Sequence, residues 1–180
     1  ISIVGTIFEV QRASTDVSTD KGQLLKTKDG KLFIDEDGSG TNIIAITDSA
    51  GGTPTFDSSS SWSDGIYSSS WSQKSIAVEQ QSDGSFKLAV KNTNTYDNTT
   101  NVDWNVYNIS STGILDWSNS TWGGITKHED DFNQDLNGDG GIGLAAALKA
   151  VATDVTGARL KRDSENGLYI DVNNDGSNLI

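Results

Sequence analysis

The sequence predicts a mainly β fold, α+β at the margin, built of antiparallel hairpins in a meander with one short helix beside a calcium-type loop. Three observations lead there. The acidic residues are 20 Asp against 5 Glu, and Asp, unlike Glu, competes with a helix for backbone hydrogen bonds. Nineteen glycines accompany many Ser, Thr and Asn, the residues of turns. Short runs of alternating hydrophobicity are broken by Asp-Gly or Ser-Thr-Gly, the pattern of strand, tight turn and strand.

The elements follow in order. "KTKDGKLFID" (26–35) is a strand, an Asp29-Gly30 turn and a strand, and "NIIAIT" (42–47) is a third strand. Residues 48–74, rich in Ser and Gly and holding Pro54, the sole proline, form a long loop. "SIAVEQQSDGSFKLAVKN" (75–92) is a hairpin about Asp83-Gly84, with Ile76, Val78, Phe86, Leu88 and Val90 alternating. "DWNVYNISSTGILDW" (103–117) is another, turning at Ser111-Thr112-Gly113. In "GITKHEDDF" (124–132), Ile125, His128 and Phe132 recur at i, i+3 and i+7, which predicts a short helix.

Composition excludes several classes. The chain has 180 residues, enough for a real core, and a net charge of −12. Phosphate neutralisation needs a basic surface, so nucleic acid is not an expected partner. Cysteine is absent, so disulfides play no part. No run of about 18 apolar residues exists, so membrane insertion by a helix is not expected. The chain begins at Ile1 without Met or a signal-peptide pattern and is read as a processed form or an excised piece.

The two ends resemble each other. Thr15-Asp16-Val17 returns as Thr153-Asp154-Val155, and Leu32-Phe33-Ile34-Asp35 returns as Leu168-Tyr169-Ile170-Asp171. The period is near 137 residues, a whole domain and far longer than a solenoid unit. Residues 1–141 are therefore one full repeat ending in the calcium-type loop, and 142–180 begin the next copy. "AAALKAVA" (145–152) is helical by propensity, but its partner in the first copy is not, so extended structure is expected there.

"DFNQDLNGDGGIG" (131–143) carries the densest chemistry. Asp135, Asn137 and Asp139 stand at positions 1, 3 and 5 of a cation-wrapping loop, with Gly140 at the sharp turn. The carbonyl of Gly141 is the expected backbone ligand, and Ile142 the hydrophobic anchor. Position 12 is Ala146, where a bidentate acid would normally complete the shell. Glu129, Asp130, Asp131 and Asn133 are the nearest substitutes, and without one of them the site is weak, at about 10⁻⁴ to 10⁻³ M. Two lesser loops echo it: Asp171, Asn173 and Asp175 in "DVNNDGS", and Asp35 and Asp37 in the shorter "DEDGSG". These either ligate ions or are hairpin turns rich in Asp, and turn chemistry alone accounts for them.

"AVEQQSDGSFKLAVKNTNT", "WNVYNISSTGILDW" and "FNQDLNGDGGIG", in that order and spacing, resemble a Trp-containing tandem repeat. Such repeats occur in large secreted or surface proteins of cyanobacteria and marine bacteria that often carry RTX-type calcium segments. The resemblance covers nearly the whole chain. It implies a secreted, extracellular or cell-surface location, calcium as the bound ion and no catalytic activity.

Five tryptophans lie at 62, 71, 104, 117 and 122. Trp104 and Trp117, on alternating strands, are expected in the core. Trp62 and Trp71, in "SSSSWSDGIYSSSWS", are either loop anchors or a platform for sugar rings. His128 is the sole histidine, so a Ser–His arrangement could be built only around it, and no phosphate loop follows a strand. No enzyme is expected. The expected function is a calcium-binding repeat module of a surface layer, filament or adhesin that pairs strands with other copies of the same chain. The alternative is a carbohydrate-binding module that holds polysaccharide on exposed tryptophans.

Overall fold

Alternating apolar residues flanked by tight turns give most of the antiparallel ladders of this mainly β protein. The computed structural model describes residues 9–10, 22–144, 149–153 and 158–172. They fall into two compact units, 1–123 and 124–180.

The first unit holds two antiparallel sheets. The smaller runs in order β1 (Glu9–Val10), β2 (Gln23–Lys26), β3 (Leu32–Asp35) and β4 (Ile43–Ala45). The larger runs β5 (Ser58–Ser63), β6 (Ser68–Gln80), β7 (Phe86–Tyr96), β8 (Thr99–Ile109) and β9 (Leu115–Gly123). Leu24, Leu32, Ile34 and Ile46 from the smaller sheet pack with Val78, Phe86, Leu88, Val90, Tyr107, Ile109 and Leu115 from the larger, around Phe56. Beyond β4 the main chain of Thr47 stitches the two together: its N–H donates to the Gly113 carbonyl at 2.9 Å, and its carbonyl accepts from Leu115 N–H at 2.7 Å. Gly113, at φ +89°, passes so close to the Ala45 carbonyl that a side chain there would collide with it.

The small sheet covers only one end of the large one. Opposed residues of an antiparallel pair share a face, and successive residues alternate. The core face of β7, which carries Phe86, Leu88 and Val90, therefore continues through Asn92, Asn94 and Tyr96, where exposure rises towards the end of the strand. Every residue of β5 is exposed.

The 48–74 segment is thus not one long loop. Ser58–Ser63 and Ser68–Gln80 are paired strands joined at Asp64-Gly65, where the Asp64 carboxylate accepts from Ile66 N–H and Tyr67 N–H. Serine is a poor strand former, and strands solvated on both faces show no apolar alternation, which hid them. They form because β6 is anchored along its whole length by β7.

In the second unit a 3-10 turn (Thr126–His128) leads into the helix α1 (Glu129–Phe132), as the i, i+3, i+7 spacing predicts. A three-stranded meander follows: β10 (Lys149–Thr153), β11 (Arg159–Arg162) and β12 (Leu168–Asp171). Of the segment 145–152, expected to be extended, residues 149–152 lie in β10, while 145–148 lie outside the described residues. Leu160 faces Ile170 as Leu24 faces Ile34, and Arg162 faces Leu168 as Lys26 faces Leu32. The β2–β3 and β11–β12 hairpins are therefore the same hairpin at an offset of 136 residues. The 135–141 loop belongs to the second unit, together with the β10–β12 meander.

Candidate functional site

Two features carry chemistry, one in each unit. In the first, the uncovered end of the core face of the β5–β9 sheet is laid out in rows. Trp62, Ser69, Tyr96 and Thr99 form one row, and Ser60, Trp71, Asn94 and Asn101 the next. Ser58, Gln73, Asn92 and Asp103 follow, then Ser75, Val90, Asn105 and Trp122, which adjoin the core. Trp117 belongs to this face too, stacking on Phe56 and Tyr107 with ring centroids 5.5 and 5.6 Å away. All four exposed tryptophans, 62, 71, 117 and 122, thus share one face with the exposed Tyr96. Trp104 alone points to the opposite face, buried with the Lys91 ammonium 5.5 Å from its ring centroid.

Between the rings runs a ladder of amides. Gln73 Nε2 donates to Asn92 Oδ1 at 2.8 Å, and Asn92 Nδ2 donates to Asn105 Oδ1 at 2.8 Å. These bonds fix the orientation of each amide, so its remaining donors and acceptors are held in place. A shallow groove of about 500 Å³ lies over the outer rows, lined by Trp62, Trp71, Tyr96, Asn94, Asn101 and serines. Its lining holds no carboxylate. Strand geometry puts Trp62 and Trp71 on the order of 8 Å apart, one strand and one row removed.

Trp104 is buried as expected, but on the sheet face away from the core cluster. Trp117 is not buried: it is half exposed, because it lies at the margin where the small sheet stops covering the large one. Trp62 is 57% and Trp71 36% exposed, so neither is a buried anchor. Sequence reasoning missed Tyr96, Trp122 and the Gln73–Asn92–Asn105 ladder. No periodicity marked them: β5, β6 and the open end of β7 each carry a single ring among polar residues, so only the cross-strand register assembles the face.

The second feature is the 135–141 loop. Asp135 Oδ1 accepts from Gly138 N–H at 2.7 Å and Asp139 N–H at 3.2 Å, while its Oδ2 accepts from Gly140 N–H at 2.9 Å. Asn137 Oδ1 accepts from Asp139 N–H at 2.9 Å, and Asp139 Oδ1 from Gly141 N–H at 3.0 Å. The chain therefore wraps around three alternating oxygen-bearing side chains. The 163–167 turn closes over it: the Ser164 hydroxyl donates to Asp139 Oδ2, and Asn137 Nδ2 donates to Ser164 Oγ at 3.2 Å. From the same turn, Glu165 accepts from Ile125 N–H at 2.7 Å and Thr126 N–H at 3.1 Å, its carboxylate lying against Gly124 where a side chain would displace it.

Glu129 holds the other side. Fully buried, it accepts from Leu136 N–H at 3.0 Å, Asn137 N–H at 3.2 Å and Gly143 N–H at 3.2 Å. Burial pushes its carboxyl above the usual carboxylate range; the three N–H donors oppose this and the Asp139 charge adds to it. Ile142 does not anchor the loop as expected: it is exposed, and Phe132 and Leu136 fill the interior instead. The hydrogen bonds to Glu129 fix the loop's end without an apolar residue at position 8.

Of the substitutes for the absent position-12 acid, Asp130 lies against Gly143 at the loop's end. Asp131 turns to His128 Nδ1 at 3.4 Å, and Asn133 is the exposed left-handed residue that ends α1. Asp171 is buried and paired with Lys161 Nζ at 2.6 Å, whereas Asn173 and Asp175 lie outside the described residues. Among the described residues no three carboxylate or imidazole side chains converge on one point. The oxygen-only donor set fits a hard cation in kind. Asp135 and Asp139 would hold it with Asn137, the Gly141 carbonyl and water, and two carboxylates make a weak site.

Compared with family models, curated proteins and solved structures, the chain matches none.

Proposed function

We propose that this chain is a non-catalytic module of a secreted bacterial surface protein that binds neutral polysaccharide on the open face of its β5–β9 sheet. One observation carries this. The face that is core at one end runs on uncovered at the other, displaying Trp62, Trp71, Tyr96 and Trp122 beside an ordered ladder of amides. Sugar rings present apolar C–H faces and a rim of hydroxyls. Flat aromatics cover the first, and fixed amide and hydroxyl groups pair with the second. Exposing so many large rings is unfavourable unless a partner covers them.

Charge selects the glycan. The chain carries −12, the face itself contributes Asp103, and Lys74 and Lys91 lie on the opposite face by register. An acidic polysaccharide would be repelled. A groove lining without carboxylates argues against glycoside hydrolysis, which uses a carboxylate pair. The test is retardation in gels cast with neutral polysaccharides. Trp62→Ala and Trp71→Ala should each weaken retention about tenfold, the loss of one stacked ring at on the order of 1–2 kcal/mol. Retention unchanged in the double variant would refute the assignment.

A second reading concerns the 135–141 loop, favoured by its wrapped carboxylates. Calcium held there would stiffen the second unit rather than contact a partner. Millimolar calcium should stabilise that unit by on the order of 1 kcal/mol over chelator, and Asp139→Ala should remove the difference. Superimposable melting curves would count against it.

A further inference from the structure

We propose that the β3–β4 loop, residues 35–42, is a separate site for a hard divalent cation of the calcium class. The loop "DEDGSGTN" leaves β3 at Asp35 and meets β4 at Ile43. Asp35 Oδ2 accepts from Gly40 N–H at 2.9 Å, and Asp37 Oδ1 accepts from Ser39 N–H at 2.9 Å. The same bonds, at the same spacings, build the other loop: Gly140 N–H to Asp135 Oδ2 and Asp139 N–H to Asn137 Oδ1, both at 2.9 Å. Asp35, Asp37 and Ser39 thus stand at the first, third and fifth positions of the same wrap.

That geometry alone would describe a turn. Two independent observations call for positive charge. Asp35 is buried, 3% exposed, and its Oδ1 has no hydrogen-bond partner among the described residues. Its other oxygen is tied to Gly40, so the carboxylate faces into the loop. Asp37 lies within its reach; the Ser39 hydroxyl and N–H chiefly hold the Asp37 carboxyl below its usual range, with Asp35 contributing less. A buried carboxylate needs a donor or a cation on each oxygen.

The second observation comes from the repeat. Asp171 holds the position of Asp35 in the matching hairpin and is fully buried. There a cation is built into the chain, Lys161 Nζ at 2.6 Å, with Arg159 directly opposite on the neighbouring strand. The positions of Arg159 and Lys161 are Gln23 and Leu25 in the first copy. One hairpin carries its own counter-charge; the other keeps the buried carboxylate and lacks both basic residues. An oxygen-only donor set on a glycine-rich loop suits calcium better than magnesium, which demands a stricter octahedron.

The test is a titration of the full chain with calcium chloride to about 10 mM, tenfold above a weak site's dissociation constant, followed by amide NMR. Ser39 and Gly40 amides should shift saturably in the native chain and equally in an Asp135→Asn/Asp139→Asn variant, which isolates this loop from the other. Asp35→Asn and the exposed-side Asp37→Asn should each abolish those shifts while the Leu88 amide stays native. Leu25→Lys, which supplies the second copy's ammonium, should also abolish them. No calcium-dependent shift at Ser39 and Gly40, or shifts that survive both Asp35→Asn and Asp37→Asn, would overturn the proposal.

Discussion

Replacing Glu129 with Ala should loosen the second unit and leave the first intact. The side chain is fully buried and gives its two oxygens to three main-chain N–H groups, those of Leu136, Asn137 and Gly143. Of these residues Leu136 and Gly143 are themselves buried, so water cannot replace the carboxylate. Each stranded donor costs about 1–3 kcal/mol. Against this, the variant no longer buries a charge, a burden visible in the upward push on the Glu129 carboxyl. The net loss is about 2–4 kcal/mol, a large fraction of a small domain's stability. Native-state hydrogen exchange reads it residue by residue. The Leu136 amide should exchange roughly thirty- to a thousandfold faster, since each 1.4 kcal/mol is a factor of ten. The Leu88 amide in the first unit should keep its rate. Unchanged protection at Leu136 would show that Glu129 is not what holds the loop.

The two units should respond to acid in opposite directions. Because the folded-state pKa of Glu129 is raised, its contribution to stability is fully present below its unfolded value of 4.5 and is lost as pH rises through the folded value, so mild acidification should slow exchange at Leu136. Asp29, Asp37, Asp64, Asp83 and Asp116 are held low, chiefly by hydrogen bonds from neighbouring side chains or, for Asp64, backbone N–H groups. Their contribution to the first unit is therefore lost only as pH falls below about 3.8, a loss that near-ultraviolet dichroism would follow. Tyr169 is pushed up to about 12 by burial and by the Asp163 carboxylate that its hydroxyl donates to, so an alkaline absorbance titration should show a step there that Tyr169→Phe removes, while Tyr107, raised by burial, still ionises above the ordinary tyrosine value. Gly113→Ala, which combines a left-handed φ with a collision against the Ala45 carbonyl, should destabilise the first unit by about 2 kcal/mol or more in urea melts. A chain ending at residue 141 loses Ser164 and Glu165, so residues 124–141 should lose exchange protection while the first unit keeps its own.

Much of the fold was legible because its causes are local. Asp29-Gly30 and Asp83-Gly84 announce their turns, and the alternation from Phe86 to Val90 announces a strand with one buried face. The likeness of the two ends was legible in the sequence, and the β2–β3 and β11–β12 hairpins share one register. What escaped depends on partners far along the chain. Ser58–Ser63 is a strand only because β6 borders it, and β6 extends outward only because β7 does. The amide ladder joins residues 19 and 13 positions apart, and Glu165 reaches Ile125 from 40 positions away; no periodicity reports such pairs. The 135–141 wrap was legible as alternating oxygens. The grip of Glu129 was not, since a single Glu in an acidic sequence gives no sign that it will be buried.

The claim that a glycan lies across the open sheet face is tested most directly by oxidative footprinting of the full chain with and without a retained neutral polysaccharide. Trp62, Trp71, Tyr96 and Trp122 are exposed and should oxidise readily in the free protein, whereas Trp104, buried on the opposite face, should not. With polysaccharide present, oxidation should fall severalfold at Trp62, Trp71 and Tyr96 together, while Leu168 and Ile170 in the second unit, exposed in the free protein, should keep their rates. Oxidation of the three rings that is indifferent to a polysaccharide the chain demonstrably binds would contradict the account.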